Sequence, residues 1–190
     1  MRVFLAIPLT PHLQQEIAVL QRRLAGALPT IRWSRPQTLH LTLRFFGETP
    51  QEDLEKIRVS MLSIASCQPA CQVRLQGLGA FPEPRRPRVL WTGLEPVAPL
   101  RQLYRHCETA LQQAGIPPEP RPFRPHLTLG RWRQAGPDVR QLLAETTGQT
   151  FGTLSVRQLI VYRSLLHTTG AEHIPLFTAA LAGGFAHSEE

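Results

Sequence analysis

The sequence has few of the residues that cross-link small domains or hold metal ions in them. It contains three cysteines in 190 residues and no CxxC pair. An odd number without that spacing indicates neither a disulfide framework nor a zinc knuckle, and it favours a reducing compartment. No apolar run approaches the roughly 20 residues that span a bilayer, and the amino terminus lacks a signal-peptide core. We therefore expect a cytoplasmic protein with no membrane partner.

Lysine is almost absent. Lys56 is the single lysine among 21 basic residues, and the formal net charge is +7. The guanidinium fork of arginine suits bidentate contact with phosphate, and an excess of positive charge attracts polyanions. Genome composition explains the bias toward arginine equally well. The net charge itself still favours an anionic partner.

One tetrapeptide, HLTL, occurs twice. It begins at His40 and again at His126, 86 positions later. Alternate side chains of an extended strand share a face, so each histidine points the same way as the threonine two residues on, Thr42 or Thr128. The leucines point the opposite way, toward a core. Two such strands brought together would form a site with two imidazoles and two hydroxyls.

The elements around the two motifs repeat in the same register. A shift of 86 aligns the apolar strand at Arg2 with the strand at Arg88, and a strand around Val73 with one predicted over residues 153–163. Three elements in one register, the motif included, are hard to obtain by chance. Apolar residues at helical spacing predict helices between the strands. The first predicted helix follows Thr10, and the second follows a capping box from Thr49 to Glu52. The third runs from Pro96 to Gly115 and the fourth from Pro137 to Glu145.

The repeat predicts the fold class. We expect an α+β fold in which a duplicated, pseudo-two-fold unit forms two lobes, with antiparallel-rich sheets lining a central cleft and helices outside. The whole chain, 1–190, is interpreted as one bilobal domain whose repeat halves are about 1–81 and 88–180, with strand exchange between the lobes allowed. The proline-rich stretch 82–87 is the boundary between the halves.

Two imidazoles suit acid and base catalysis at phosphorus. Their unperturbed pKa near 6.5 lets one be neutral and the other protonated at neutral pH. One histidine takes the proton of the incoming nucleophile and the other protonates the leaving oxygen, while the threonine hydroxyls donate to the non-bridging oxygens. Arg131 would lie on the opposite face from His126 on a regular strand, so it reaches the phosphate only if the strand ends or bulges near Gly130. The residues leave open which histidine is the acid.

The motifs and their flanks resemble a known family. RVFLAIPL at the start, LHLTLRFFGE around His40 and FRPHLTLGR around His126 are similar to the RNA 2′,3′-cyclic phosphodiesterases, or 2′-5′ RNA ligases, of the two-histidine phosphoesterase superfamily. The resemblance implies hydrolysis of RNA 2′,3′-cyclic phosphate ends to 2′-phosphate ends without metal or cofactor, and reversible 2′-5′ ligation by the same chemistry. We expect a monomer whose partner is RNA with such ends, tRNA fragments included.

The same resemblance implies a role for each site residue. His40 is the proton donor, His126 is the proton acceptor, and Thr42, Thr128 and Arg131 bind the phosphate. The motifs supply no third ligand at zinc-ligand spacing. Two alternatives stay open: a phosphodiesterase of small cyclic nucleotides, and a module that binds RNA or nucleotide phosphates without turning them over.

Other residues are weaker candidates. His167 and His173 follow the repeat near the open end of the predicted site, whereas His12, His106 and His187 are interpreted as structural or solvated. Aromatic side chains beside basic residues can stack on bases, although each is more typical of a core. The stacking candidates are Trp33, Phe46, Phe81, Phe123 and Trp132. Arg85, Arg86 and Arg88 form either a phosphate-binding patch or a soluble loop.

Overall fold

A computed structural model describes residues 1–167 and 170–183 of the chain. Within that part, none of the helices has the length and apolarity needed to cross a membrane. The elements in chain order are β1 (Arg2–Pro8), α1 (Pro11–Ala25), β2 (Arg32–Trp33), β3 (His40–Glu48), α2 (Gln51–Cys67), β4 (Cys71–Phe81), β5 (Val89–Glu95), α3 (Ala98–Gln113), β6 (Leu127–Arg131), α4 (Arg140–Glu145), β7 (Thr150–Val156), β8 (Gln158–His167) and β9 (Gly170–Ala180).

The strands form two sheets that exchange strands between the repeat halves. One sheet has the order β3-β1-β8-β9 and the other the order β2-β6-β5-β4-β7. All pairings between these strands are antiparallel. The late strand β8 lies beside β1, and the early strand β4 lies beside β5, so β3-β1-β8 and β6-β5-β4 are equivalent triplets. The predicted α+β class with antiparallel sheets is confirmed.

The first helix begins where the sequence predicts, but the second does not use the predicted capping box. Thr10 Oγ1 accepts the amide hydrogen of Leu13 at 3.3 Å and caps α1. Thr49, in contrast, donates its hydroxyl to the carbonyl of Gly47 at 3.2 Å, and α2 follows Pro50 without a side-chain cap. The amide of Thr49 donates to the carbonyl of Met1, so this residue is held by the end of the β1–β3 pair instead.

The predicted strand over residues 153–163 is wrong as a single element. It is two strands, β7 and β8, that separate at Arg157 and enter different sheets. Val156 pairs with Cys71 in the second sheet, whereas Gln158 pairs with Ala180 in the first. The segment is rich in Val, Ile and Leu on both sides of Arg157, and strand propensity carries no information about which sheet a strand joins. The helices α3 and α4 also begin later than predicted, at Ala98 and Arg140.

The sheets separate a core face from a cleft face. On β1, Val3, Leu5 and Ile7 belong to the main hydrophobic core. Phe4 is only 2% exposed, but its ring lies 4.8 Å from the ring of His40 on the other face. The alternation of a strand thus supports the core with one set of side chains and the site with the other.

Candidate active site

The ring of His40 is held by a backbone carbonyl. His40 is the first residue of β3, and its Nδ1 lies 2.8 Å from the carbonyl oxygen of Thr38. A carbonyl only accepts hydrogen bonds, so Nδ1 carries the hydrogen in the neutral ring. Nε2 is then the acceptor nitrogen.

The ring of His126 repeats this arrangement. Its Nδ1 lies 2.6 Å from the carbonyl oxygen of Arg124, again two residues earlier in the chain. His126 immediately precedes β6, as the duplication requires. Both imidazoles are therefore fixed in one tautomer, with Nε2 as the basic atom.

A single cleft contains all five residues predicted for the site. Its volume is about 1160 Å³, and it runs between the two sheets. The predicted residues in its lining are His40, Thr42, His126, Thr128 and Arg131. The structure therefore brings together two imidazoles, two hydroxyls and a guanidinium that lie up to 91 positions apart in the chain.

A β-bulge turns Arg131 toward the cleft. Thr128 is opposite Trp91 and Gly130 is opposite Leu90, so Leu129 is an extra residue on β6. The bulge that the sequence analysis required near Gly130 is present. It shifts the side-chain alternation by one residue and gives Arg131 the same face as Thr128.

The first histidine strand carries the equivalent bulge. Ala6 is opposite Thr42 and Leu5 is opposite Arg44, which leaves Leu43 as the extra residue. Phe45 then returns to the cleft face, where it is 53% exposed. Sequence reasoning missed Phe45, although the shift of 86 places it at the position of Arg131.

The two histidines have different neighbours. The ring of His40 lies 4.8 Å from Phe4 and meets the ring of His173 edge-on at 5.1 Å. Tyr162 is 6.2 Å away. His173, one of the weaker candidates, lines the cleft as well.

The rings of Phe81 and Trp91 lie beside His126. Phe81 meets it edge-on at 5.0 Å, and Trp91 is 6.0 Å away. The Trp91 ring lies directly on Gly79, where an added Cβ would come within 2.1 Å of it. Gly79 is thus required for Trp91 to occupy this position beside His126.

Burial lowers the pKa of both histidines. Desolvation is the main cause at His40, where the pKa falls to about 4, and the positive charges of His173 and Arg131 add to it. Burial also lowers the pKa of His126, again with a contribution from Arg131. The hydrogen bonds to Thr38 and Arg124 oppose these shifts without cancelling them. Both rings are therefore neutral at pH 7 when the cleft is empty.

Arginines and aromatic residues extend the cleft beyond the histidines. Trp33 and Phe46 line it, as do Arg2, Arg32 and Arg121. Arg121 is paired with Glu119 at 2.9 Å. A second cavity of about 510 Å³ adjoins His40 and is lined by Gln14, Gln37 and Tyr162 among others.

The remaining stacking candidates do not lie open in the cleft. Phe123 stacks on Tyr104 with ring centroids 4.3 Å apart, and Trp132 is 6% exposed within the core. Arg88 donates to the carbonyl of Arg133 at 2.8 Å, so it serves at least in part to hold a loop. His12 lies on the exposed face of α1 beside Glu16. The side chain of His167 and the whole of His187 are outside the described residues.

In residues 1–167 and 170–183, no three His, Cys, Asp or Glu side chains are grouped as metal ligands.

Two sheets that bring paired His and Thr side chains to one cleft define the class of two-histidine phosphoesterases. The sequence model of the family described as LigT like phosphoesterase matches residues 7–91 and 94–171. The chain belongs to this family.

Curated relatives match nearly the full chain. An RNA 2′,3′-cyclic phosphodiesterase of Methanothermobacter thermautotrophicus is 32% identical over 181 residues, which are 93% of this chain and 95% of the relative. One from Archaeoglobus fulgidus is 30% identical over 170 residues, covering 90% and 94%.

Solved structures share the fold. The protein TT0787 of Thermus thermophilus superposes with a TM-score of 0.80 at 28% identity, covering 95% of this chain and 98% of that one. E. coli LigT, solved in complex with 3′-AMP, gives 0.76 at 26% identity, covering 95% and 97%.

Proposed function

We propose that the protein hydrolyses 2′,3′-cyclic phosphate ends of RNA to 2′-phosphate ends, with His40 as the acid and His126 as the base. The observation that carries the proposal is the pair of imidazoles in one cleft, each held through Nδ1 by a carbonyl. The names of the relatives from Archaeoglobus fulgidus and Methanothermobacter thermautotrophicus support the substrate. The assignment of acid and base follows the family resemblance, because the geometry of the two rings is nearly equivalent.

The lowered pKa of His126 suits a general base. A neutral imidazole accepts a proton at Nε2 from water as the water oxygen attacks phosphorus. Burial keeps the ring neutral across the physiological range, and the bond to Arg124 keeps the hydrogen on Nδ1. The attacking atom therefore meets a ring whose free nitrogen is always the same one.

His40 must be protonated to act as the acid, and it gains this proton when the substrate binds. In the empty cleft the pKa of His40 is about 4. A cyclic phosphodiester brings a negative charge next to the ring, and an opposite charge favours the protonated imidazole. His40 then gives its Nε2 proton to O3′ as the P–O3′ bond breaks. The phosphate stays on O2′. His126 releases the proton taken from water to solvent, and His40 takes up a proton from solvent before the next turnover.

Thr42, Thr128 and Arg131 bind the non-bridging oxygens in this scheme. Hydroxyl donors and a fixed cation stabilise the charge that develops on these oxygens, and they do so more strongly in a cleft than in water. The positive charge of Arg131 lowers the pKa of both histidines, so its guanidinium lies within electrostatic reach of both. No step requires a metal ion.

The size and lining of the cleft favour an oligonucleotide. A volume of about 1160 Å³ exceeds the upper end of the usual range for small-molecule pockets, about 1000 Å³. Arg2 and Arg32 can contact phosphates, and Trp33, Phe45 and Phe46 can stack on bases. These features support RNA fragments, including tRNA fragments, over a free cyclic nucleotide. A ribose 5′-hydroxyl in the place of water gives 2′-5′ ligation by the same steps, and the reverse of that ligation cleaves the 2′-5′ linkage.

End-group analysis tests the proposal. An RNA oligonucleotide and a mononucleotide, each ending in a 2′,3′-cyclic phosphate, are incubated with the protein in the presence of a chelator. We expect a 2′-phosphate from both, with the higher kcat/KM on the oligonucleotide. A faster reaction on the mononucleotide would favour the cyclic-nucleotide alternative. Binding without turnover of either substrate would favour the phosphate-binding module.

A further inference from the structure

A buried ion pair connects the strand of His40 to helix α3 of the second repeat half. Arg44 Nη1 donates to Glu108 Oε1 at 2.7 Å, and the two side chains are 6% and 11% exposed. Arg44 belongs to β3 in the first repeat half, and Glu108 to α3 in the second. The bulge at Leu43 gives Arg44 the face opposite to Thr42, away from the cleft.

The same two side chains hold the segment that precedes the second histidine, residues 117–125. The amide of Glu119 donates to Glu108 Oε2 at 3.1 Å. Arg44 Nη2 donates to the carbonyl of Pro117. Each carboxylate oxygen and each terminal guanidinium nitrogen therefore has one partner. The start of the segment is fixed by both members of the pair.

The end of the segment is also attached to α3, and it orients the imidazole. Phe123 stacks on Tyr104 of that helix. The next residue, Arg124, supplies the carbonyl that accepts from His126 Nδ1. A displacement of the segment would therefore move both the imidazole and the group that sets its tautomer.

A buried ion pair is a weak source of stability, because desolvation of both charges offsets most of their attraction. Such a pair can still define a geometry: here both terminal guanidinium nitrogens donate, to Glu108 and to the carbonyl of Pro117, and both carboxylate oxygens accept. We propose that Arg44 and Glu108 are positioning residues, which fix His126 relative to His40 through residues 117–125. The kinetic consequence rests on the proposed function, whereas the effect on the His126 ring does not.

Two conservative substitutions test this proposal. Arg44→Lys keeps the charge but lacks the fork that donates to both Glu108 and Pro117. Glu108→Gln keeps the shape but replaces one acceptor by a donor. The matched controls are Arg58→Lys and Glu55→Gln, which alter an exposed ion pair of the same residue types on α2. Urea unfolding verifies that each variant is folded.

The first readout is an NMR titration of the histidine rings. Burial lowers the pKa of His126, and the hydrogen bond from its Nδ1 to Arg124 opposes that shift. Both depend on the position of residues 117–125, so we expect the pKa of His126 to shift from the wild-type value in both Arg44 and Glu108 variants, while the pKa of His40 stays unchanged as an internal reference. The controls should change neither.

The second readout is the kinetics on RNA with a cyclic phosphate end. Misplacement of a reacting group by about 1 Å can cost on the order of 10²-fold in rate, so we expect kcat to fall by about 10- to 100-fold with little change in KM. A folded Arg44→Lys protein with unchanged kcat and an unchanged pKa of His126 would overturn the proposal.

A double variant covers the case in which a single substitution prevents folding. Arg44→Met with Glu108→Met removes both charges and leaves neither unpaired. We expect this double variant to fold, to show the same shift in the pKa of His126 as the single variants and to have the same low kcat. Wild-type values for both would overturn the proposal. If the wild-type protein itself fails to turn over RNA, the proposed function fails, and the pKa of His126 still decides the positioning role.

Discussion

The two histidine strands, β3 and β6, are alike up to the threonine and differ beyond it. Both present His and Thr to the cleft, and both bulge at the next leucine. The following positions have diverged. Phe45 stands on β3 where Arg131 stands on β6, and buried Arg44 stands where β6 has Gly130. The duplication has kept the paired His and Thr side chains, whereas the rings beside the two histidines and the positions after the bulges differ between the strands.

Under the proposed function, this difference gives each strand its own part of the substrate. The strand of His126 would supply a cation for the phosphate, and the strand of His40 an exposed ring for a base or ribose. A side chain at Gly130 would be crowded, because an added Cβ would come within 2.9 Å of the Ile31 side chain and within 3.0 Å of the carbonyl oxygen of Arg32. Variants that remove one part at a time test this division of roles.

Loss of either histidine should have the largest effect. His40→Ala and His126→Ala should each reduce kcat by about 10²-fold or more, because each removes a proton-transfer group. Steady-state kinetics on RNA with a cyclic phosphate end measures this, with His12→Ala as the control for an exposed histidine. Near-normal activity in either cleft variant would contradict the paired roles.

Removal of the Arg131 guanidinium should have the second-largest effect on activity. Arg131→Ala should lower kcat/KM by about 10²-fold, the usual cost of one group that stabilises developing charge. The pKa of both histidines should rise, since the charge of Arg131 lowers both. Arg131→Lys should return the pKa of both histidines most of the way to the wild-type value and should recover part of the rate. An NMR titration that finds the pKa of only one ring altered would limit Arg131 to one side of the cleft.

Loss of the exposed ring should affect binding and leave chemistry nearly intact. Phe45→Ala should weaken binding of a 2′-nucleotide by about 1–3 kcal/mol, the value of stacking one base. Inorganic phosphate should bind as before. Calorimetry with both ligands measures the difference, and Val59→Ala, which truncates a similarly exposed apolar residue on α2, is the control. Equal weakening of both ligands would assign Phe45 to the phosphate site instead.

The smallest expected effect is on the pH dependence of the free energy of unfolding. The folded protein keeps His40 neutral down to about pH 4, whereas the unfolded chain protonates it near its ordinary pKa of 6.5. The unfolded chain therefore binds more protons between these values, and stability falls as the pH falls through this range. His40→Gln should flatten the dependence seen by urea unfolding. An unchanged slope would show that His40 is not the titrating group.

Much of the site was predictable because the duplication is visible in the sequence. The pair of HLTL motifs predicted the His and Thr side chains that the structure brings to one cleft, and strand parity showed that Arg131 needs a bulge. The same bulge on β3 went unnoticed, so Phe45 was missed. Applying the shift of 86 to Arg131 would have found it.

Other features depend on tertiary packing and could not be predicted from the sequence. Glu108 lies next to the apolar stripe of α3, and nothing local distinguishes it from a solvated acid until Arg44 is brought against it. The division of residues 153–163 between two sheets depends on strand exchange, which the local pattern does not encode. Thr49 matches a capping box, but the backbone of Met1 holds it elsewhere.

An NMR titration with inorganic phosphate tests the central claim most directly, namely that His40 and His126 face one phosphate from two sheets. A phosphate bound between them should raise the pKa of both rings, because its negative charge favours both protonated forms. His12 should not respond. A rise at only one of the two rings, or at neither, would contradict the account.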